Sequence, residues 1–129
     1  MEVETAREIA HEFDLVEVEL DACPYSFYDV PIRQLIAAIG RGGCGPGDSG
    51  DYLVPDRIYF LNVKPACCLH DWGYHWCADK AQRYKVDRAF LDNMLTLIDK
   101  QSVWWLKWLR RRRALTYYDA VRVGGRKDG

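Results

Sequence analysis

Two stretches decide the fold, PACCLHDWGYHWCADK at residues 65–80 and YKVDRAFLDNMLTLI at residues 84–98. The first opens on Pro65, and proline favours the first turn of a helix because its missing N–H costs no hydrogen bond there. This helix is predicted to run to about residue 79. In the second stretch, apolar spacings of three and four predict a helix of about 17 residues; they are set by Val86, Phe90, Leu91, Met94, Leu95 and Ile98. The short connection predicts that the helices pack as antiparallel neighbours.

Two shorter helices are predicted before this pair. In ETAREIAHEFDL, residues 4–15, Ile9 and Phe13 lie four positions apart among polar residues, as in an amphipathic helix. In PIRQLIAAIG, residues 31–40, a proline opens and a glycine closes an apolar run, which is typical of a helix with a defined start and end.

A longer helix is predicted after the pair, from Ser102 to about Val123. We expect Gly124 and Gly125 to end it and residues 124–129 to be disordered. The segment DYLVPDRIYFLNV, residues 51–63, is predicted to hold a short strand or turn. The fold class is therefore predicted to be mainly α.

The composition fits one folded domain. The chain has 129 residues, of which 49% are hydrophobic, enough to bury a core and too few for two ordinary domains. Residues 1–30 carry nine acids and one arginine, whereas residues 101–129 carry eight basic residues and two acids. This asymmetry favours an anionic partner surface for the C-terminal end, or pairing between the two ends. Because no signal peptide is evident, we expect cytoplasmic synthesis, with non-classical or phage-linked delivery left open.

The first helix of the central pair carries candidate chemistry on one side, where helical spacing aligns Cys67, His70, Asp71 and Tyr74. A His-Asp pair on a helix is more often a solvated or capping pair than a site. The second helix changes this interpretation, because Asp87 lies on its apolar stripe and would be buried against the helix carrying His70. A buried acid needs a partner, which is either a tyrosine or backbone amide, or a catalytic imidazole whose tautomer it fixes.

A glycine-rich loop precedes these helices. RGGCGPGDSGDYLVPD, residues 41–56, has five glycines and two prolines, which no regular element tolerates. Glycines let backbone carbonyls turn inward, and Ca²⁺ prefers carbonyl and carboxylate oxygens. Three loop carbonyls and Asp71 would form a partial calcium cage, whereas the loop taken alone is more simply a tight turn.

Taken together, the motifs CGPG (residues 44–47), CCLHDWGY (residues 67–74) and YKVDRAF (residues 84–90) resemble the secreted phospholipase A2 superfamily. That family pairs a Cys-Gly-x-Gly calcium loop with a Cys-x-x-His-Asp-x-x-x-Tyr helix. The resemblance covers about residues 40–95 and is closer to compact bacterial, phage-related and parvoviral-capsid short forms than to the disulfide-rich enzymes. It implies one domain over residues 1–129, with two antiparallel catalytic helices, a calcium loop and flanking N- and C-terminal helices.

The resemblance implies a Ca²⁺-dependent hydrolase of the sn-2 ester of glycerophospholipids. His70 would be the general base that activates water, Asp87 would orient its ring, and Tyr74 would brace Asp87. The main-chain amide of Gly45 would stabilise the oxyanion together with the metal. The implied calcium ligands are the Asp71 carboxylate and the main-chain carbonyls of Gly43, Gly45 and Gly47.

The cysteines are odd in number, so at least one thiol stays free; they are Cys23, Cys44, Cys67, Cys68 and Cys77. The resemblance implies a disulfide between Cys44 and Cys67, the positions where the family ties its calcium loop to its catalytic helix. The other three cysteines have no assigned partner.

The segment WWLKWLRRRR, residues 104–113, has two main interpretations. Tryptophans at helical spacing commonly pack in the core, with the arginines as a solvated face. The alternative is contact with the headgroup zone of an anionic phospholipid membrane; the residues involved would be Trp104, Trp105, Trp108, Arg110, Arg111, Arg112 and Arg113. No nucleic acid partner is expected, because no DNA- or RNA-reading motif accompanies the basic cluster.

A second class of function stays open, a catalytically silent relative that serves as a binding or structural module. Such a module would contact a membrane or a protein partner, and a homo-oligomer is a further alternative. Joint retention of His70, Asp71 and Asp87 favours the enzyme. The altered loop, in which Gly47 is followed by Asp48 where the family has a second glycine, favours the module.

Overall fold

The computed structural model describes residues 3–40, 57–59 and 61–128, and in these ranges the chain is mainly helical, as predicted. The elements in chain order are α1 (Val3–Glu12), α2 (Ile32–Ile39), β1 (Arg57–Ile58), β2 (Leu61–Asn62), α3 (Lys64–Trp76), α4 (Lys80–Gln101) and α5 (Trp104–Asp128). The two strands pair antiparallel, with Ile58 opposite Leu61, inside the segment predicted to hold a strand or turn. None of the helices described combines the length and apolar character that crossing a membrane requires.

The helices α3 and α4 form the predicted antiparallel pair, joined by residues 77–79. Asp79 fixes the start of α4, because its side chain accepts a hydrogen bond from the Gln82 amide at 2.9 Å. The Gln82 side chain in turn accepts one from the Ala78 amide at 2.7 Å. This cap places the start of α4 several residues before its first apolar position, so the helix has 22 residues and exceeds the predicted length.

The core lies where α3 and α4 pack against the N-terminal helices. The predicted apolar stripe of α4 is buried, with Leu95 partly buried at its edge. Burial of this stripe stabilises the helix far more than its intrinsic propensity does. The other elements contribute fully buried side chains that include Phe27, Leu35 and Ile58.

The segment between α1 and α2, residues 13–31, is fastened to α4 by the buried Asn93. The Asn93 side-chain amide donates to the Val16 carbonyl and its side-chain oxygen accepts from the Val16 amide, both at 2.8 Å. Asn93 thus satisfies both the amide and the carbonyl of Val16, as a neighbouring strand would do in a sheet. The segment therefore lies against the helix pair without forming a strand itself.

The last helix, α5, packs along α4 and runs past its predicted end. It continues through Gly124 and Gly125 to Asp128, so the prediction that these glycines end it is wrong, and the backbone is helical where a disordered tail was expected. A glycine costs a helix interior about 1 kcal/mol, which disfavours helix without excluding it.

Candidate active site

His70 lies in the middle of α3 with its ring packed between two aromatic rings. The ring centroids lie 4.3 Å from that of Tyr74 and 4.6 Å from that of Phe90. Only 7% of the residue is exposed, so the imidazole is almost fully buried. The antiparallel crossing of α3 and α4 carries Phe90 over the ring and buries it, which fixes the orientation of the imidazole by packing.

The predicted hydrogen bond between His70 and Asp87 is present. The His70 Nε2 atom lies 2.8 Å from Oδ1 of Asp87, whose side chain is fully buried in α4. Tyr74 donates its hydroxyl to the same Oδ1 at 2.5 Å. Asp87 therefore contacts both a tyrosine and an imidazole, and the catalytic role of that imidazole stays a prediction.

The second oxygen of Asp87 has a partner that the sequence analysis missed. Arg122, near the end of α5, donates from Nη1 to Asp87 Oδ2 at 2.7 Å, and its guanidinium carbon lies 5.2 Å from the centre of the Tyr84 ring. Asp87 and Arg122 are 35 positions apart in the chain. No helical spacing links residues so distant. The one signal in the sequence was the excess of basic residues near the C-terminal end, which favours pairing with an acid elsewhere in the chain.

This network determines which nitrogen of His70 carries the proton. A carboxylate has acceptors and no donor, so an imidazole that bonds to Asp87 through Nε2 carries its hydrogen there. The other ring nitrogen, Nδ1, is then the basic one. Nδ1 lies 4.0 Å from Oδ1 of Asp71, a partly exposed side chain. The arrangement therefore points the basic nitrogen of a buried imidazole toward a carboxylate on the same helix.

The two other groups that contact Asp87 stay in their donor forms. Burial, and next the hydrogen bond to Asp87, raises the pKa of the Tyr74 hydroxyl, so it remains protonated. The hydrogen bond to Asp87 raises the pKa of the Arg122 guanidinium, which remains charged. A fully buried carboxylate is costly unless it is both paired and hydrogen-bonded, and Asp87 has both kinds of partner.

The predicted calcium site is only partly within the described ranges. Asp71 lies on α3 beside His70, and an oxygen of its carboxylate suits a calcium ion. The backbone ligands Gly43, Gly45 and Gly47 lie outside the described residues. Across residues 3–40, 57–59 and 61–128, no group of three or more acidic, histidine or cysteine side chains is placed to hold a metal. The described residues therefore supply Asp71 as a candidate ligand, and the calcium site itself stays a prediction.

The predicted disulfide also involves the loop, since Cys44 lies outside the described residues and the pairing stays a prediction. Cys67 is fully buried in α3. Cys23 and Cys77 are partly exposed free thiols, and Cys68 is buried in α3.

A small cleft reaches His70 from the side of the N-terminal segment. Apolar side chains from three parts of the chain form most of its wall; they include Val16, Val18, Leu69, Val86 and Phe90. The cleft has a volume of about 10 Å³, which is room for about one water molecule beside the imidazole.

The three tryptophans at the start of α5 are exposed, so the interpretation that they pack in the core is wrong. Exposed fractions are 84% for Trp104, 54% for Trp105 and 59% for Trp108. Helical spacing does not distinguish a face turned to the core from one turned outward, and α5 buries Ala114 and Tyr117 instead. The three tryptophans therefore form an exposed apolar surface at the start of α5.

The four arginines that follow have different environments. Arg110 is buried, where it donates to the Tyr59 carbonyl and the Ser102 hydroxyl, both at 2.7 Å, so its prediction as a membrane-contact residue is wrong. The other three are exposed. Arg111 pairs with Asp99 at 2.6 Å, and the guanidinium of Arg112 lies 4.9 Å from the centre of the Trp108 ring; Arg113 extends over the ring of Tyr59.

No match to this chain was found among models of protein families, curated proteins or solved structures.

Proposed function

We propose that the chain is a Ca²⁺-dependent hydrolase of the sn-2 ester of glycerophospholipids. The observation that supports it best is the buried His70–Asp87 hydrogen bond, with Tyr74 on the same carboxylate oxygen. A general base needs an imidazole with one nitrogen held and the other available, and this geometry holds Nε2 and leaves Nδ1 as the base.

In the proposed reaction, His70 Nδ1 takes a proton from a water molecule whose oxygen attacks the ester carbonyl. Asp87 stabilises the imidazolium that forms, because its carboxylate already bonds to the Nε2 hydrogen. The imidazolium then gives its proton to the departing alcohol oxygen, and the products are a fatty acid and a lysophospholipid. Tyr74 keeps the carboxylate in place throughout, since its hydroxyl remains a donor.

The metal site of the proposal combines Asp71 with the main-chain carbonyls of Gly43, Gly45 and Gly47. Ca²⁺ held there would polarise the ester carbonyl, and the Gly45 amide would donate a hydrogen bond to the oxyanion. We expect affinity to be weak or dependent on lipid, because ordering a glycine-rich loop costs conformational entropy.

The exposed start of α5 supports a lipid substrate presented at a membrane. Trp104, Trp105 and Trp108 have the size and amphipathic rings that favour the headgroup zone. Lys107 precedes Trp108 in the helix, and the guanidinium of Arg112 lies 4.9 Å from the centre of the Trp108 ring. Each basic residue near an anionic surface contributes about 1 kcal/mol of attraction. We therefore propose an anionic phospholipid membrane surface as the partner.

The test is release of fatty acid from vesicles of mixed phosphatidylcholine and phosphatidylglycerol, with Ca²⁺ or with a chelator. His70→Gln removes the base and retains a donor within reach of Asp87, so we expect a folded protein without hydrolysis. His75→Gln is the matched control, because His75 lies on the same helix and is exposed. Hydrolysis that survives His70→Gln, or that is insensitive to the chelator, would contradict the proposed mechanism.

A second candidate is a catalytically silent binding module. The exposed tryptophan surface favours it, because this surface can contact a partner without any catalytic step. The module would bind vesicles or a protein partner, a second copy of the chain included, and its binding would be unaffected by His70→Gln. Wild-type protein that binds the vesicles and releases no fatty acid with Ca²⁺ would establish this alternative.

A further inference from the structure

Asp87 distributes its partners unequally between its two oxygens. His70 and Tyr74 both bond to Oδ1, at 2.8 and 2.5 Å, while Arg122 bonds to Oδ2 at 2.7 Å. Arg122 thus holds the oxygen that takes no part in orienting the imidazole. The carboxylate is fixed at both ends, by α3 on one side and by α5 on the other.

This matters because the last torsion of an aspartate side chain is soft. Rotation about the bond to the carboxyl group is broad and roughly two-fold, so an unanchored carboxylate exchanges its oxygens at little cost. A guanidinium on Oδ2 resists that rotation through a charge-assisted hydrogen bond. Arginine also stays charged throughout the pH range in which proteins fold, so the buried acid has a permanent counter-charge.

We propose that Arg122 is a positioning residue for His70, which acts through Asp87 to fix the Nε2–H tautomer and the orientation of the ring. The consequence for catalysis rests on the proposed function, whereas the effect on the tautomer does not. Arg122 contacts no reacting atom, so its effect falls on the chemical step and leaves substrate binding unchanged.

The ring of Tyr84 gives the guanidinium a second support, since the cation lies 5.2 Å from its centre. About a quarter of the Arg122 side chain is exposed, 27% against 0% for Asp87. A shortened side chain at position 122 therefore opens a route from solvent to Oδ2, along which a small cation such as methylguanidinium reaches the carboxylate.

The experiment compares Arg122→Gln, which keeps a donor without charge, Arg122→Lys, which keeps the charge, and Arg122→Ala with and without methylguanidinium. Arg88→Gln is the control. Arg88 directly follows Asp87 in α4 and forms an exposed ion pair with Asp92. All measurements are made at one pH and calcium concentration. The readouts are kcat and KM for vesicle hydrolysis and the tautomer of His70 from nitrogen NMR of ¹⁵N-histidine-labelled protein.

We expect the Gln and Ala variants to lose about 10- to 100-fold in kcat with KM within about twofold, the scale typical of a group that orients a catalytic residue from behind. The Lys variant should stay within about threefold of wild type, and methylguanidinium should restore the Ala variant several-fold. The Nε2–H tautomer of His70 should fall in the Gln variant and persist in the Lys variant and the control.

A folded Gln variant with unchanged kcat and unchanged tautomer would overturn the proposal. Loss of the folded state in both the Gln and Lys variants would also overturn it, in favour of an ion pair that serves stability alone. If wild-type protein hydrolyses no lipid, the proposed function fails, and the tautomer measurement still decides whether Arg122 positions His70.

Discussion

Replacing Gly73 by alanine tests how closely α3 and α4 must approach for the site to form. A Cβ atom at position 73 would lie 2.7 Å from Cγ1 and 2.9 Å from Cγ2 of Val86. Carbon atoms in contact prefer about 3.5 to 4.0 Å, so the added methyl overlaps with both. Val86 is buried and branched at Cβ, so no rotation about χ1 moves both methyl groups away.

Two effects of opposite sign set the magnitude of the Gly73→Ala change. Alanine in place of glycine in a helix interior stabilises by about 0.5 to 1 kcal/mol, whereas an extra methyl in a packed core costs about 1 to 3 kcal/mol. Because the overlap involves two rigid atoms, we expect the second effect to win and the unfolding free energy to fall by about 1 to 2 kcal/mol. Relief of the overlap moves the helices apart, which stretches the 2.8 Å bond between His70 and Asp87 toward the limit of a hydrogen bond.

The assay is urea unfolding followed by tryptophan fluorescence, on a double-mutant cycle with Val86→Ala. Val86→Ala alone should cost about 2 kcal/mol, from two lost methyl groups and the cavity they leave. In the double variant the new Cβ occupies part of that cavity, so the loss should be smaller than the sum of the two single losses by about 1 kcal/mol or more. Strict additivity, or a Gly73→Ala protein that gains the full helix-propensity benefit, would refute the close approach.

Three further replacements test other parts of the structure. Glu17→Gln should stabilise the protein at pH 7. Burial raises the folded-state pKa of Glu17, so the wild-type protein loses stability as pH rises above about 4.5. In unfolding titrations, the extra stability of the Gln variant over wild type should therefore vanish below that pH. Asn93→Ala should lower the unfolding free energy by about 1 to 3 kcal/mol, because it removes both hydrogen bonds to Val16. Asn93→Asp should cost at least as much at pH 7 in the same thermal scans, because it places a carboxylate in a buried site against the Val16 carbonyl oxygen. Arg110→Gln should lower the unfolding free energy by about 1 to 3 kcal/mol, because the buried hydrogen bonds of Arg110 are lost. Membrane binding measured by vesicle flotation should equal that of wild type. Weaker binding with unchanged stability would mean that Arg110 contacts the membrane.

The central helices and the His70–Asp87 contact were predictable because both depend on local patterns. An apolar stripe at spacings of three and four defines the buried face of a helix, and a short connection decides that its neighbour packs antiparallel. Given those two facts, Asp87 has to face the helix that carries His70. The role of each residue in catalysis stays a prediction.

The environments of α5 were not predictable in the same way. Its apolar residues occur all around the helix, so spacing alone does not indicate which face packs on α4, and the exposed Trp104 and buried Arg110 reverse the usual preferences. Arg110 is buried because the turn at Tyr59 and the end of α4 offer it oxygen acceptors. The pairing of Arg122 with Asp87 depends on tertiary packing between residues 35 positions apart, which no local pattern encodes.

The attachment of Val16 to Asn93 also bears on the order in which the chain folds. The helices α3 and α4 are joined by three residues and meet by local contacts, whereas the bonds from Asn93 to Val16 close a loop of 77 positions. Closing a long loop costs more chain entropy and is rewarded only after the surface it docks on exists. The N-terminal segment is therefore expected to arrive on a helix pair that has already formed. Since Val16 and Val18 line the cleft beside His70, that cleft is completed in the last stage of folding.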